Sequence, residues 1–426
     1  MKPLSLHELV NYAWQHSNFY RELWKSKGFN PEKEFRSDSD LKKIPILTKS
    51  EFLSTSAKSR SILNPEDGYY FTAISSGATA RPLISLQSRF PKPSYYRFIE
   101  SQVKGSRSSV LILRPASHAT AFLGATLPEK YFPPGSIFSI GDIVNYSVSA
   151  HIAKEIEADS LVARPSDAVR FAAVLEQVGY SLSRITFVWI TGEPLTSAAT
   201  SLLKSLYSNA VIFYVYAMTE GPCSMGMKSS LCSSLDAIGP GAYHLNTEDF
   251  IFEIPEKSSI VTALHKIPTP IIRYETGDSM TIKENFQCSC GFPVGTIGII
   301  GPRDGESSYK IGGCLFRVGD IQKVLKFLPE LVTTDFILRI EQKIINNRLE
   351  NHLRFTVRPI GVPTDFVTDV IREALKKKLY VTRSRTLEDA MRQSIIGRIE
   401  IDYNVALNGS SILPPDEILT PFQDVA

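Results

Sequence analysis

Several things are missing from this chain of 426 residues, and each absence removes a class of function. Five cysteines are too few for a disulfide framework at this length. No run of about eighteen apolar residues occurs, so no spanning helix is expected. Lysine and arginine number 47 against 44 acids, a net charge of +3, and no basic tract is long enough to favour a nucleic-acid partner. The opening MKPLSLHELVNYAWQHSNFYRELW mixes charges and sets Leu6, Leu9, Val10 and Ala13 at helical spacing, without the apolar core of a signal peptide. The expectation is a soluble, cytoplasmic protein with no membrane contact. Internal repeats and low-complexity tracts are also absent.

What is present is alternation. The first sixty residues have helical periodicity, broken at KGFNPEKEF. From Tyr69, short apolar runs such as SVLILRP, RITFVWITG and AVIFYVYAMTEG alternate with helix-period stretches such as DAVRFAAVLEQVG and SAATSLLKSLYSN. Strands alternating with helices predict a large layered α/β domain with parallel-rich sheets. A β-rich stretch follows, and the polar, glycine-containing GPRDGESS then marks a candidate hinge. The expected division is a domain over 1–302 and a small, mobile α+β domain over 303–426.

Several stretches could carry chemistry. Cys288 and Cys290 form a tight Cys-x-Cys, with Cys232 and His244 upstream. Three thiolates and an imidazole are an ordinary tetrahedral set for structural zinc, though the same residues also suit buried thiols beside a surface histidine. SSGATARP, residues 75–82, matches neither the Walker pattern nor GxGxxG, and by itself reads equally as a connector. TGEPL, YAMTEG and YETGD each leave a predicted strand. Polar turns at strand ends converge on one edge of an α/β sheet, where ligands bind. There Glu220 could hold Mg²⁺, Thr219 could touch a phosphate, and Asp278 could accept hydrogen bonds from a ribose.

Taken in order, these stretches resemble the adenylate-forming superfamily, in particular its phenylacetate–CoA ligase-like branch. LKKIPILTKSEF is similar to the branch's Leu-Pro-x-x-x-Lys segment, SSGATARP to the SSGTTGKP phosphate loop, and YAMTEG to Tyr-Gly-x-Thr/Ser-Glu. SSIVTALHKIPTPIIRYETGD resembles the strand leading to Arg-Tyr-x-Thr-Gly-Asp, and CSCG matches Cys-x-Cys-Gly. The resemblance implies an enzyme that activates a small, aromatic carboxylic acid with ATP to an acyl-adenylate, then passes the acyl group to CoA or another thiol. It implies that Ser75, Ser76, Gly77, Thr79 and Arg81 cradle phosphates, that Glu220 holds Mg²⁺, and that Thr219 lies near the α-phosphate. Tyr216 would stack on adenine beside Gly192, Glu193 and Pro194, with Asp278 and Arg303 on the ribose. Trp189, Tyr214 and Ala217 would border the acyl pocket, and Cys232, His244, Cys288 and Cys290 would bind structural Zn²⁺. The small domain would rotate near residues 303–306 and bring GGCLF to a thiol tunnel; relatives in the branch also form homodimers.

The chain departs from that pattern in places. Ala78, Ala80 and Arg81 stand where the family loop has Thr, Gly and Lys, and Ala217 replaces a glycine. In IIGRIEID, Arg398 takes the place of the family's catalytic lysine, with a wider fork and a different reach. These departures keep two other readings open: loading of a carrier protein or an amine, and nucleotide binding without turnover.

Overall fold

The computed structural model describes residues 3–64, 66, 69–75, 83–88, 96–103, 108–115, 132–255, 258–303, 308–345, 348–382 and 385–415, excepting the side chains of residues 96, 97, 302 and 303. The N-terminal segment is helical, as its periodicity predicts: α1 (Leu6–His16), α2 (Asn18–Ser26), α3 (Pro31–Glu34) and α4 (Lys49–Leu53). At the start of α1, Ser5 and Glu8 exchange hydrogen bonds in a capping box, and the Leu6, Leu9, Val10, Ala13 stripe is buried. An antiparallel hairpin of β1 (Phe71–Ile74) and β2 (Ile84–Gln87) precedes α5 (Tyr96–Gln102).

Strands and helices then alternate: β3 (Ser109–Leu113), β4 (Ile137–Ile140), α6 (Tyr146–Glu155), β5 (Ser160–Ala163), α7 (Pro165–Gln177), β6 (Phe187–Thr191), α8 (Ser197–Leu206) and β7 (Val211–Tyr216). These five strands are parallel, in the order β4-β3-β5-β6-β7. SVLIL, SLVA and FVWI are buried at every position, the pattern of strands covered on both faces. Helices α6, α7 and α8 cover one face with Val188, Ile190 and Tyr214. The other face packs Val162, Phe187, Trp189 and Phe213 against Phe98, Ile99 and Phe132. Each such side chain contributes about 1.5–3 kcal/mol by leaving water.

Next come β8 (Gly226–Ser229), α9 (Ser233–Ile238), β9 (Ala242–Leu245), β10 (Phe250–Glu253), β11 (Ile260–Ala263), β12 (Tyr274–Glu275), β13 (Asp278–Phe286) and β14 (Gly295–Arg303). β8, β9, β14 and β13 extend the large sheet in antiparallel fashion to nine strands among the described residues. β10, β11 and β12 form a separate sheet that shares a core with the N-terminal helices, around Tyr20, Trp24, Phe52 and Tyr274. Arg273 secures that union, donating to both Glu253 oxygens at 2.8 and 2.9 Å and to the carbonyls of Lys42 and Ile44. Removing either partner strands a buried charge, at about 3–5 kcal/mol.

The C-terminal part has its own core. β15 (Ser308–Ile311) and β16 (Cys314–Arg317) make a hairpin leading into α10 (Val318–Leu325). β17 (Val332–Ile345), β18 (Arg348–Pro359), α11 (Asp365–Lys378), α12 (Leu387–Arg392), β19 (Ile396–Tyr403) and β20 (Ser410–Leu413) complete it, with sheet order β19-β18-β17-β20. The long β17–β18 hairpin docks on α7 and α8, where Leu349 joins the main core and Thr196 bonds Gln342. The layered α/β architecture with a smaller α+β part is the one expected. No helix among the described residues is long and apolar enough to cross a membrane.

Candidate active site

A cavity of about 1160 Å³ opens at the carboxyl ends of the parallel strands and is closed on one side by the C-terminal hairpin. Its position follows from topology. The chain leaves β3 for β4 on one flank and continues to β5 on the other, so the strand order reverses between β3 and β5. Connections diverging from such a point leave a crevice at the strand ends.

Three separated motifs meet on one wall of this cavity. Tyr216, at the end of β7, donates its hydroxyl to Asp278 at 2.8 Å. Tyr274 donates to Glu220 at 2.6 Å. The second Glu220 oxygen takes no hydrogen bond among the described residues, and this buried residue lines the cavity. Gln87, from β2, donates to the carbonyl of Thr219 at 2.9 Å and ties the β1–β2 hairpin to the YAMTEG turn. Ser75 closes that hairpin: its backbone N–H donates to Leu83 and its hydroxyl accepts from the Leu83 N–H at 3.1 Å. Ser75 lines the cavity, whereas Ser76, Gly77, Thr79 and Arg81 lie outside the described residues, as does the side chain of Arg303.

Gly192, Glu193 and Pro194 also line the cavity, but the Glu193 side chain turns to α7. It accepts from Ser166 at 2.7 Å and lies 3.6 Å from Arg164. Gly192 has φ +89°, a backbone that favours glycine.

The expected acyl pocket needs one correction. Trp189 and Ala217 line the cavity, and Tyr214 does not. In the β6–β7 register Trp189 stands opposite Phe213, which puts Tyr214 on the other face of the sheet. There it packs in the helical layer, with the buried Lys228 ammonium 5.8 Å from its ring. Arg398 needs another. Its side chain is 69% exposed on β19 and pairs with Glu400 at 3.1 Å, on the opposite face from the buried Ile399; it does not line the cavity.

Three of the cations that line the cavity were not singled out from the sequence: Arg114 after β3, Arg164 after β5, and Lys310 on β15. A signal existed, since both strand runs, SVLIL and SLVA, end directly in Arg-Pro or Ala-Arg-Pro. Lys310 donates to the Gly192 carbonyl at 3.3 Å, and burial holds its ammonium down at about 8. Arg164 is raised, the attraction of Glu193 and Asp167 outweighing its burial. Tyr274, which orients Glu220, was likewise not anticipated.

Cys232, His244, Cys288 and Cys290 come together away from the cavity. Their ligand atoms all lie within 4.8 Å of one another, with His244 Nε2 at 3.8 Å from Cys232 Sγ and 3.4 Å from Cys290 Sγ. Ligands about 2.3 Å from a tetrahedral zinc would sit about 3.8 Å apart, so the set is close to that geometry. Phe292 stacks on the imidazole at 4.3 Å, and the Cys232 thiol is held well below the usual thiol range, first by the hydrogen bond from Cys290.

No family model and no curated protein matches this sequence. Among solved structures, the chain is similar to 2-hydroxyisobutyryl-CoA ligase in complex with 2-HIB-AMP and CoA in the thioester-forming state, at 16% identity, TM-score 0.59, over 96% of this chain and 88% of that one. The same ligase in its postadenylation state with 2-HIB-AMP gives a TM-score of 0.54 at 15% identity, over 97% and 85%. The likeness shows that the chain has the fold of 2-hydroxyisobutyryl-CoA ligase.

Proposed function

We propose that this protein is an ATP-dependent ligase that converts a carboxylic acid to its acyl-adenylate and then transfers the acyl group to a thiol such as CoA. The observation that carries the reading is the convergence of Thr219, Glu220, Asp278 and Tyr216 on one wall of the switch-point cavity, through hydrogen bonds joining residues distant in the chain. In this reading a carboxylate oxygen attacks the α-phosphorus of ATP and pyrophosphate leaves. The thiol sulfur then attacks the acyl carbon, and AMP departs.

Asp278, held by the Tyr216 hydroxyl, has the acceptor oxygens for ribose hydroxyls, and the Gly192–Pro194 backbone flanks the adenine side. Glu220 would hold Mg²⁺ through the oxygen that Tyr274 leaves uncommitted. The ion would neutralise charge on phosphoryl oxygens as it builds. Structural Zn²⁺ fits the Cys232, His244, Cys288 and Cys290 set, all side chains of the antiparallel part of the sheet or its loops. Gly313 and Leu315 of GGCLF line the cavity, the placement that suits the thiol step. A rotation of the C-terminal part about residues 303–306 would precede it.

Isotope exchange between pyrophosphate and ATP, measured with a panel of carboxylic acids, tests the first step. Exchange should appear with at least one acid and require Mg²⁺. Absence with every acid, in protein that binds ATP, would leave a nucleotide-binding protein without turnover. Thioester formation with CoA or a carrier-protein thiol, or amide formation with an amine, identifies the acceptor in the second step.

A further inference from the structure

At the switch point the two neighbouring strands β3 and β5 both end in Arg-Pro, Arg114-Pro115 and Arg164-Pro165. The arginines differ in company. Arg164 is matched: Nε and Nη2 donate to Asp167 at 2.5 and 3.0 Å, with Glu193 at 3.6 Å. Arg114 donates to the Thr191 carbonyl at 2.6 Å, and among the described residues no carboxylate lies within 4.0 Å of it. Burial and the neighbouring Arg164 together push its guanidinium down to about 10. Arg114 is half-buried at the cavity wall and shares Asp167 and Glu193 with Arg164, so an anion arriving in the cavity meets a cation with no carboxylate of its own.

The surroundings give that anion a place. Ile112, Val162 and Trp189 occupy one row across β3, β5 and β6, and Arg114 stands two positions beyond Ile112, on the same face. Val162, Trp189 and Arg114 all line the cavity, so an apolar wall ends in a guanidinium. Its fork is fixed against Gly192, where a Cβ would stand 2.8 Å from Arg114 Cζ. Of the five charged residues grouped here, Arg114, Arg164 and Lys310 give +3 and Asp167 and Glu193 give −2, a sum of +1.

We propose that the acid activated by this protein carries a second anionic group, a carboxylate, and that Arg114 selects it; the inference rests on the adenylation reading above. The chemistry required is a planar anion matching a guanidinium fork. A phosphate of the acceptor is the other source of such a group. Acceptor phosphates, however, have lysines of the C-terminal part at hand, because Lys323, Lys326 and Lys378 also border the cavity.

The test is pyrophosphate exchange without any thiol, using matched pairs of mono- and dicarboxylic acids of equal carbon skeleton, aliphatic and aromatic. The wild type should favour the dicarboxylic member of at least one pair. Arg114→Gln should lower kcat/KM for that acid roughly 10- to 100-fold, the loss of a charged hydrogen bond, while its monocarboxylic partner changes less than about threefold. Arg114→Lys should recover part of the preference. Exchange with monocarboxylic acids alone would overturn the inference and leave adenylation standing. Exchange with no acid would remove the adenylation reading and the inference with it. An Arg114→Gln variant with unchanged acid kinetics and a raised KM for the thiol would give the residue to the acceptor's phosphate instead. Should Arg114→Gln fold poorly, the wild-type preference within each pair still decides.

Discussion

Substituting Gly192 by alanine strikes the cavity in two separable ways. The residue has φ +89°, and placing an L side chain there costs about 1–2 kcal/mol of backbone strain. The new methyl would also lie 2.6 Å from Arg114 Nη2 and 2.8 Å from Cζ, closer than any real contact. The fork must withdraw, and its hydrogen bond to the Thr191 carbonyl goes with it. A hydrogen bond from a charged donor is worth about 1.5–3 kcal/mol, so with the backbone strain the whole substitution should cost about 2.5–5 kcal/mol. Gly179 isolates the first part, for it has φ +71° with nothing within 4 Å of its would-be Cβ. Urea unfolding of the two alanine variants, compared at equal slope, should show a midpoint loss at Gly192 about twice that at Gly179 or more. Gly192→Ala should also erase the preference for dicarboxylic acids while Gly179→Ala keeps it. Equal midpoints, with the preference intact in both, would refute the placement of Arg114 against this glycine and the selectivity built on it.

Glu220→Gln keeps an acceptor for Tyr274 but loses the charge. It should cut Mg²⁺-dependent exchange by at least about a hundredfold with melting unchanged, and retained exchange would remove Glu220 from the metal. Purified protein should carry about one zinc per chain by atomic emission, and chelation should lower its melting temperature; metal-free protein of equal stability would exclude the site. Lys310 faces Glu193, Arg164, Arg114 and Asp167, and its ammonium titrates near 8 in the fold against 10.5 ordinarily. Between those values the unfolded chain holds the proton and the folded one does not, so this residue's contribution to stability should rise with pH from about 8 upward. Affinity for an anionic acid should fall across the same rise, and Lys310→Arg should abolish that fall; a wild-type profile in the variant would assign the titration elsewhere.

Much of this layout could be read from residues alone, for identifiable reasons. SVLIL, SLVA and FVWIT are short, apolar at nearly every position and bounded by polar turns, which is what a doubly covered parallel strand requires. TGEPL, YAMTEG and YETGD meet because each sits where a strand of the same region begins or ends. Direction across the sheet was harder. Trp189 and Tyr214 look alike as aromatic residues in buried runs, and only the pairing of Trp189 with Phe213 places them on opposite faces. Arg398 was open to correction without a structure, because RIEIDY alternates and puts Arg398, Glu400 and Asp402 on one side. Tyr274 was not legible, since its importance lies in a contact to Glu220 far away in the chain, and the Arg-Pro after β3 marked Arg114 without showing its contact to Thr191.

Arg164 joins these observations. It precedes α7, whose first turn includes Pro165 and Asp167, and so a strand end, a helix start and a carboxylate are fixed together. The same side chain supports the C-terminal part, for a Cβ on Gly313 would stand 3.1 Å from Arg164 Nη1, and one on Gly312 would stand 3.5 Å from Arg170 Nη2. The glycine turn of GGCLF therefore rests on arginines of the N-terminal part. β15 carries Lys310 to the cavity from that same C-terminal side, where it reaches the Gly192 carbonyl. Arg114, Arg164, Asp167 and Glu193 sum to zero by themselves, and Lys310 raises the total to +1. Under the proposed rotation the positive excess would travel with the small domain. Arg114 would then select the second carboxylate by itself during adenylation, and Lys310 would add to that hold when GGCLF is seated.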